Sequence, residues 1–158
     1  MTPRRATRDD AATLARLNAH VQSWHAAHYP EAFFPDPDPQ ALTDWFADRL
    51  GDPACTGFLT GEPATGYALC QLQTREPSVF SPGYRRLMIE HIAVAPDARR
   101  RGQGRALLQA ARQLARELQA DEILLDTWEA NTDAHAFFRA NGFIPRRMLF
   151  RAECSFAP

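Results

Sequence analysis

Apolar positions recur along this chain with two periods, and the switches between them mark its elements. Pro3 to Arg8 has the look of a short first strand. Asp9 or Asp10 then caps a helix in which Leu14, Leu17, Val21 and Trp24 keep helical spacing. A proline-rich loop from Pro30 to Pro39 carries Phe33 and Phe34. Asp38 as N-cap and Pro39 in the first helical position start a second helix through Leu42, Trp45, Phe46 and Leu50. β-type runs from Ala54 to Thr60 and from Thr65 to Thr74 flank Gly61-Glu62-Pro63 and predict an antiparallel hairpin. A loop with Pro77 and Pro82 leads to a strand from Arg86 to Val94. The third helix, from about Gly102 to Gln119, turns Leu107, Ala111, Leu114 and Leu118 inward. A strand from Glu122 to Trp128 follows, then a short helix from Asn131 to Ala140 that ends at a left-handed Asn141-Gly142 cap. Phe143 to about Cys154 reads as a final strand or hairpin.

Composition narrows the class. At 158 residues and 45% hydrophobic, the expectation is one globular domain over residues 1–158. A net charge of -1 argues against a nucleic-acid partner, which would call for a clearly basic surface. All 18 basic residues are arginine, so no side-chain amine exists here to be acylated in error. Cys55, Cys70 and Cys154 are odd in number and far apart, which points to free thiols in a reducing compartment. No signal-like segment opens the sequence and no apolar run approaches ~18 residues, so a cytoplasmic protein without a membrane partner is expected. His20, His25 and His28 do not share one tight helical face, and no metal site is expected from them.

The chemistry concentrates in one stretch. Ile89-Glu90-His91-Ile92-Ala93-Val94-Ala95-Pro96 runs directly into Asp97-Ala98-Arg99-Arg100-Arg101-Gly102-Gln103-Gly104-Arg105. A strand, a glycine- and arginine-rich loop and a helix N-terminus bring unpaired N–H groups and a positive helix end together, which is how backbone binds phosphate. Gly102 and Gly104 let the backbone approach where a Cβ would collide. A dinucleotide fingerprint fails because Leu107 stands where its third glycine belongs, and a P-loop fails because the chain has no lysine. A solvated turn would need neither the β-run before it nor the long helix after it.

The spacing Arg99-x-x-Gly102-x-Gly104 after Ile92-Ala93-Val94 resembles the pyrophosphate loop of the GNAT superfamily of acyl-CoA N-acyltransferases. Asn131-x-x-Ala134-x-x-x-Phe138-x-x-x-Gly142-Phe143 is similar to a later motif of the same superfamily. The resemblance implies an α/β (α+β) fold with a mixed, mostly antiparallel sheet and helices on both faces, in the order β-α-α-β-β-β-α-β-α-β-β. It implies acetyl-CoA as co-substrate. The pantetheine arm would lie along Ile92, Ala93 and Val94, bonding to the strand as an added strand would. Arg99, Arg100, Arg101, Gly102, Gln103 and Gly104 would wrap the diphosphate, with Arg101 or Arg105 reaching the 3′-phosphate. Arg100 stands where the family often has glycine, so a positive φ there would carry a cost. Asn131 would cap its helix, meet the pantetheine, or do both; Phe138 takes a position where many relatives carry a tyrosine that can protonate the leaving thiolate.

The implied activity is acetyl transfer to a primary amine of a small molecule or peptide by direct attack. Glu90 is the candidate base, on a strand position where relatives often carry Glu, Asp or His facing the acceptor. Its structural alternative is a pair with Arg85, Arg86 or a helix N-terminus, since a carboxylate in an apolar strand needs a partner. Strand alternation turns His91 to the opposite face unless a bulge intervenes. His25, His28, Tyr29, Phe33 and Phe34 are expected to line an aromatic acceptor pocket with few charges, and Trp128 lines it or packs in the core. The alternative is an acyl-CoA-binding sensor or partner domain without catalysis. A homodimer through the last strands is reasonable for this fold.

Overall fold

Asp38 starts the second helix as its sequence dictates. Its carboxylate accepts a hydrogen bond from the Ala41 N–H at 2.7 Å, and Pro39 occupies the first turn, where no N–H is needed. That helix, α2, spans Pro39–Gly51. The first helix, α1, spans Ala11–His28 behind a 3-10 turn at Arg8–Asp10. Asp10 accepts from the Thr7 N–H at 2.8 Å and pairs with Arg4 at 2.7 Å, so its carboxylate ties the entry of α1 to the first strand.

The computed structural model describes residues 2–154. They fall into two compact units, divided between Asp126 and Thr127. The first contains β1 (Arg4–Arg5), α1, α2, β2 (Cys55–Thr60), β3 (Gly66–Arg75), β4 (Tyr84–Val94), α3 (Gln103–Glu117) and β5 (Glu122–Leu125). The strands lie in the order β1-β2-β3-β4-β5, antiparallel as far as β4 and parallel between β4 and β5. This is the mixed, mostly antiparallel α/β sheet expected from the sequence.

Cross-strand register explains which helix covers which face. Leu59, Tyr67 and Ala93 stand opposite one another on three neighbouring strands and share a core with Leu14, Leu17 and Phe46 from α1 and α2. Phe58, one residue away on β2, faces the other side, where it lines a cleft with Ala106, Ala110 and Leu114 of α3. Helices therefore cover both faces. Phe46, Tyr67, Leu69 and Leu107 are fully buried, each worth about 1.5–3 kcal/mol of transfer free energy.

One irregularity decides the position of the chemistry. The β3–β4 register runs through Leu69↔His91 and resumes at Cys70↔Ile89, leaving Glu90 as an extra residue. This β-bulge breaks strict alternation. His91 faces α1 and α2 as a consequence, with its ring beside Tyr67, Trp45 and Phe46. The bulge that would turn His91 around is present.

The second unit holds α4 (Thr132–Ala140), whose N-cap Asn131 accepts from the Ala134 N–H at 3.2 Å. Gly142 closes the helix at φ +82°, the expected left-handed cap. Phe138 packs between Phe137 at 5.3 Å and Phe143 at 5.9 Å. The strand or hairpin expected from Phe143 onward is a correction: residues 143–154 contain no helix or strand. Pro145 removes a ladder donor, Arg146-Arg147 interrupts alternation, and Met148-Leu149-Phe150 puts apolar side chains on both sides of any strand. Ile144, Met148, Leu149 and Phe150 are exposed.

Candidate functional site

The glycine loop leaves β4 through a turn at Pro96–Ala98. Arg100 then takes φ +59° and Gly102 φ +80°, two left-handed residues separated by one. The positive φ at Arg100 costs a residue with a Cβ about 1–2 kcal/mol. A Cβ added to Gly102 would meet nothing within 4 Å, so the loop opens outward there. The first N–H to turn back into the helix is that of Ala106, onto the Gly102 carbonyl at 3.0 Å. Among the described residues, the backbone N–H groups of Arg100 to Arg105 have no acceptor. Six such donors beside a helix N-terminus make a cradle for an anion.

Side chains of this loop divide. Arg100, Arg101 and Arg105 are exposed. Arg99 donates from Nε to the Val94 carbonyl at 3.1 Å, fixing the loop to the strand end. Gln103 is buried and its Oε1 accepts from the Thr65 hydroxyl at 3.0 Å, so its side chain is tied to the turn between β2 and β3.

β5 pairs with β4 from Arg86 to Ile89 only. Beyond the bulge, the edge of β4 carrying Ile92, Ala93 and Val94 has no strand partner on that side among the described residues. Apart from the Val94 carbonyl, which accepts from Arg99, the N–H and C=O groups on this edge can serve an extended ligand with amides of its own.

At the bulge itself, Glu90 is ion-paired with Arg49 of α2. Arg85 and Arg86, the partners suggested by sequence, bond instead to the Leu118 carbonyl at 2.6 Å and to Gln73 at 3.0 Å. Arg49 also lies 5.6 Å from the Trp45 ring centre and 4.0 Å from Asp52. His91 stacks on Trp45 at 5.5 Å and contacts the Tyr67 hydroxyl through Nδ1 at 3.2 Å. Tyr67 in turn donates to Asn18 Oδ1 at 2.8 Å. Burial pushes the His91 pKa below its usual value of 6.5; Glu90 opposes this, while His25 and Arg49 reinforce it. Burial also lowers His25, with His28 adding to the effect.

The expected acceptor residues are only partly brought together. His25 stacks on Phe33 at 4.5 Å and is near enough to His91 for their charges to interact. Trp24 stacks on His28 at 4.0 Å and lies 6.4 Å from Tyr29. Phe34 is 80% exposed, and its carbonyl accepts from Gln22 at 2.6 Å. Trp128, Asn131 and Phe138 belong to the second unit. Among the described residues no group of three or more His, Cys, Asp or Glu is arranged to hold a metal.

Sequence reasoning missed Asn18, Trp45, Arg49 and Tyr67 as site residues. A signal existed for two of them. Asn18 interrupts the Leu14-Leu17-Val21 stripe, and Arg49 stands one turn beyond Trp45 on the inward side of α2, and polar groups on such faces need partners.

A sequence model of the acetyltransferase (GNAT) family matches residues 18–143. The chain belongs to the acetyltransferase (GNAT) family. The match begins at Asn18 and ends at Phe143, so it contains the bulge and the whole loop. The fold of this GNAT chain is similar to that of a tetramutant of the BH1408 protein of Bacillus halodurans, with TM-score 0.88 and 21% identity over 98% of this chain and 100% of that one. It is also similar to the aminoglycoside N-acetyltransferase AAC(6')-Iy solved in complex with CoA, with TM-score 0.74 and 18% identity over 97% and 95% of the two chains. A transcriptional regulator from Bacillus halodurans C-125 has TM-score 0.73 and 20% identity over 97% and 99%. No curated protein matches this GNAT sequence significantly.

Proposed function

We propose that this protein transfers an acetyl group from acetyl-CoA to a primary amine of a small molecule or peptide by direct attack. The observation that carries the reading is the run of six unengaged N–H groups from Arg100 to Arg105, at the end of a strand whose edge is open. The diphosphate of the donor would sit in that cradle, with Arg101 or Arg105 on the 3′-phosphate. Its pantetheine amides would bond along Ile92, Ala93 and Val94. Asn131 and Phe138 are assigned to the donor by family resemblance. The CoA complex of AAC(6')-Iy, and its complex with a bisubstrate analog, support a donor of this class and a small-molecule acceptor.

Direct attack needs a neutral amine. An amine with a pKa of about 10.4 is almost wholly protonated at pH 7, a penalty of roughly 4–5 kcal/mol. General-base help of ~10²–10⁴ is of matching size. Glu90 and His91 at the bulge are the groups proposed to give it. His25, Tyr29, Phe33, Phe34 and Trp128 are proposed for the acceptor side. Their aromatic character favours an acceptor with an apolar body over a polycation.

A cytoplasmic setting fits the three unpaired thiols. A homodimer is part of the same proposal, although residues 143–154 supply no strand for it.

The test is thiol release from acetyl-CoA against polyamines, aminoglycosides, amino acids and short peptides. Release with an apolar or aromatic amine supports the reading. CoA binding without release across the whole panel favours the second reading, acyl-CoA binding without catalysis, for which Phe138 in place of a proton-donating tyrosine is the motivating observation.

A further inference from the structure

The polar groups behind β4 form a chain with a definite direction. Asn18 Oδ1 can only accept, and the Tyr67 hydroxyl donates to it at 2.8 Å. A phenol has one proton, so Tyr67 has none left for His91. The 3.2 Å contact between the Tyr67 oxygen and His91 Nδ1 therefore requires the proton on Nδ1. That leaves the lone pair on Nε2, which has no partner among the described residues. Tyr67 and Asn18 are both buried, and the imidazole is held between Trp45, stacked at 5.5 Å, and Phe46, edge-on at 5.7 Å. The ring can neither turn over nor exchange tautomers without breaking this arrangement.

We propose, resting on the acetyltransferase reading above, that His91 accepts the acceptor's proton at Nε2, with Tyr67 and Asn18 as the residues that fix its tautomer, and that Glu90 serves as a fixed counter-charge. Glu90 is already engaged by Arg49 in an ion pair, whereas the Nε2 lone pair of His91 is not engaged. The charged or titratable groups around His91 are Glu90 on its own strand, His25 on α1, Arg49 on α2 and Tyr67 on β3. Burial keeps the imidazole neutral at pH 7, and burial holds the Tyr67 phenol protonated well beyond its usual range.

The proton moves when it is most acidic. The amine nitrogen bonds to the acetyl carbonyl carbon and becomes positively charged. Its N–H proton passes to Nε2, the carbonyl re-forms, and the C–S bond breaks to release CoA thiolate. The imidazolium returns its proton to the thiolate or to water, restoring the neutral ring. Glu90 favours the imidazolium while it lasts.

The experiment combines ring-nitrogen NMR of His91 with kinetics on the full chain. Expected in the wild type are a protonated Nδ1 and a bare Nε2 at pH 7, a His91 titration below 6.5, and an acid limb of kcat at that same pH. Tyr67→Phe should mix the tautomers and lower kcat more than it changes KM. His91→Gln should lower kcat by ~10²–10⁴ with CoA affinity kept, while Glu90→Gln should cost less than about tenfold. CoA titration of each variant reports that it has folded. A bare Nδ1 in the wild type overturns the proposal. So does a Glu90→Gln loss of ~10² or more beside an active His91→Gln. A wild type that releases no thiol with any amine overturns the acetyltransferase reading itself, and this proposal with it.

Discussion

Arg49 of α2 and Glu90 of the β4 bulge hold each other in an ion pair, with side chains only 19% and 24% exposed. Neither charge could occupy its place alone at low cost. Arg49→Met keeps most of the apolar stem and leaves Glu90 without its counter-charge. The expected loss is about 1–3 kcal/mol of stability at pH 7, read by urea unfolding. Adding Glu90→Gln should return part of it, because the uncompensated charge is gone. Wild-type stability in the single variant would place this pair among those that contribute nothing.

Gly104 lies in the first turn of α3, among the unengaged N–H groups. Gly104→Val puts a branched side chain over the cradle. CoA affinity should fall at least tenfold, or ~1.4 kcal/mol, with the fold kept. Calorimetric titration of the folded variant at wild-type affinity would remove the loop from the donor site.

Asp10 is held well below the ordinary carboxylate range, first by its hydrogen bonds from Arg4, with burial opposing and Thr7 assisting. A depressed carboxylate contributes stability above its unfolded pKa and loses it as pH falls through the folded one. Arg4 is 58% exposed, so the contribution is that of a screened surface pair. Asp10→Asn should cost about 0.5–1 kcal/mol at pH 7. The gap from wild type should close as pH drops below about 4. A gap of unchanged size between pH 5 and pH 2 would assign the effect to local packing.

Phe138 has no proton to give a departing thiolate. A thiol with a pKa near 8.5 is a fair leaving group that water can protonate afterwards. Phe138→Tyr should therefore raise kcat less than about tenfold, under ~1.4 kcal/mol of barrier. Steady-state rates with the best amine of the panel decide this, and a gain of a hundredfold would make the missing acid a real defect of the native site.

The parts of this fold that were legible in sequence are those governed by local chemistry. Asp38-Pro39 announced α2, Asn131 and Gly142 bracketed α4, and the arginine-glycine spacing located the loop ahead of α3. The bulge was not legible. Leu87 to Val94 is apolar except at Glu90 and His91, and a strand covered on both faces carries no alternation from which a slip could be noticed. Arg49 signals in sequence only that it needs a partner: that partner stands 41 residues away, and only the packing of α2 on the sheet brings them together. The final strands are absent because Pro145 and the adjacent arginines interrupt the ladder that the apolar content of residues 143–154 suggests.

The ladder on the two sides of the bulge is already in step if one residue is left out. Leu69 faces His91 and Cys70 faces Ile89, so deleting Glu90 would join them without moving any other residue of β4 to a new partner or face. Glu90 is thus an insertion into an otherwise ordinary hairpin, spare to the architecture of the sheet. Substitution here alters the chemistry and keeps the bulge, whereas excision removes the side chain and the bulge together.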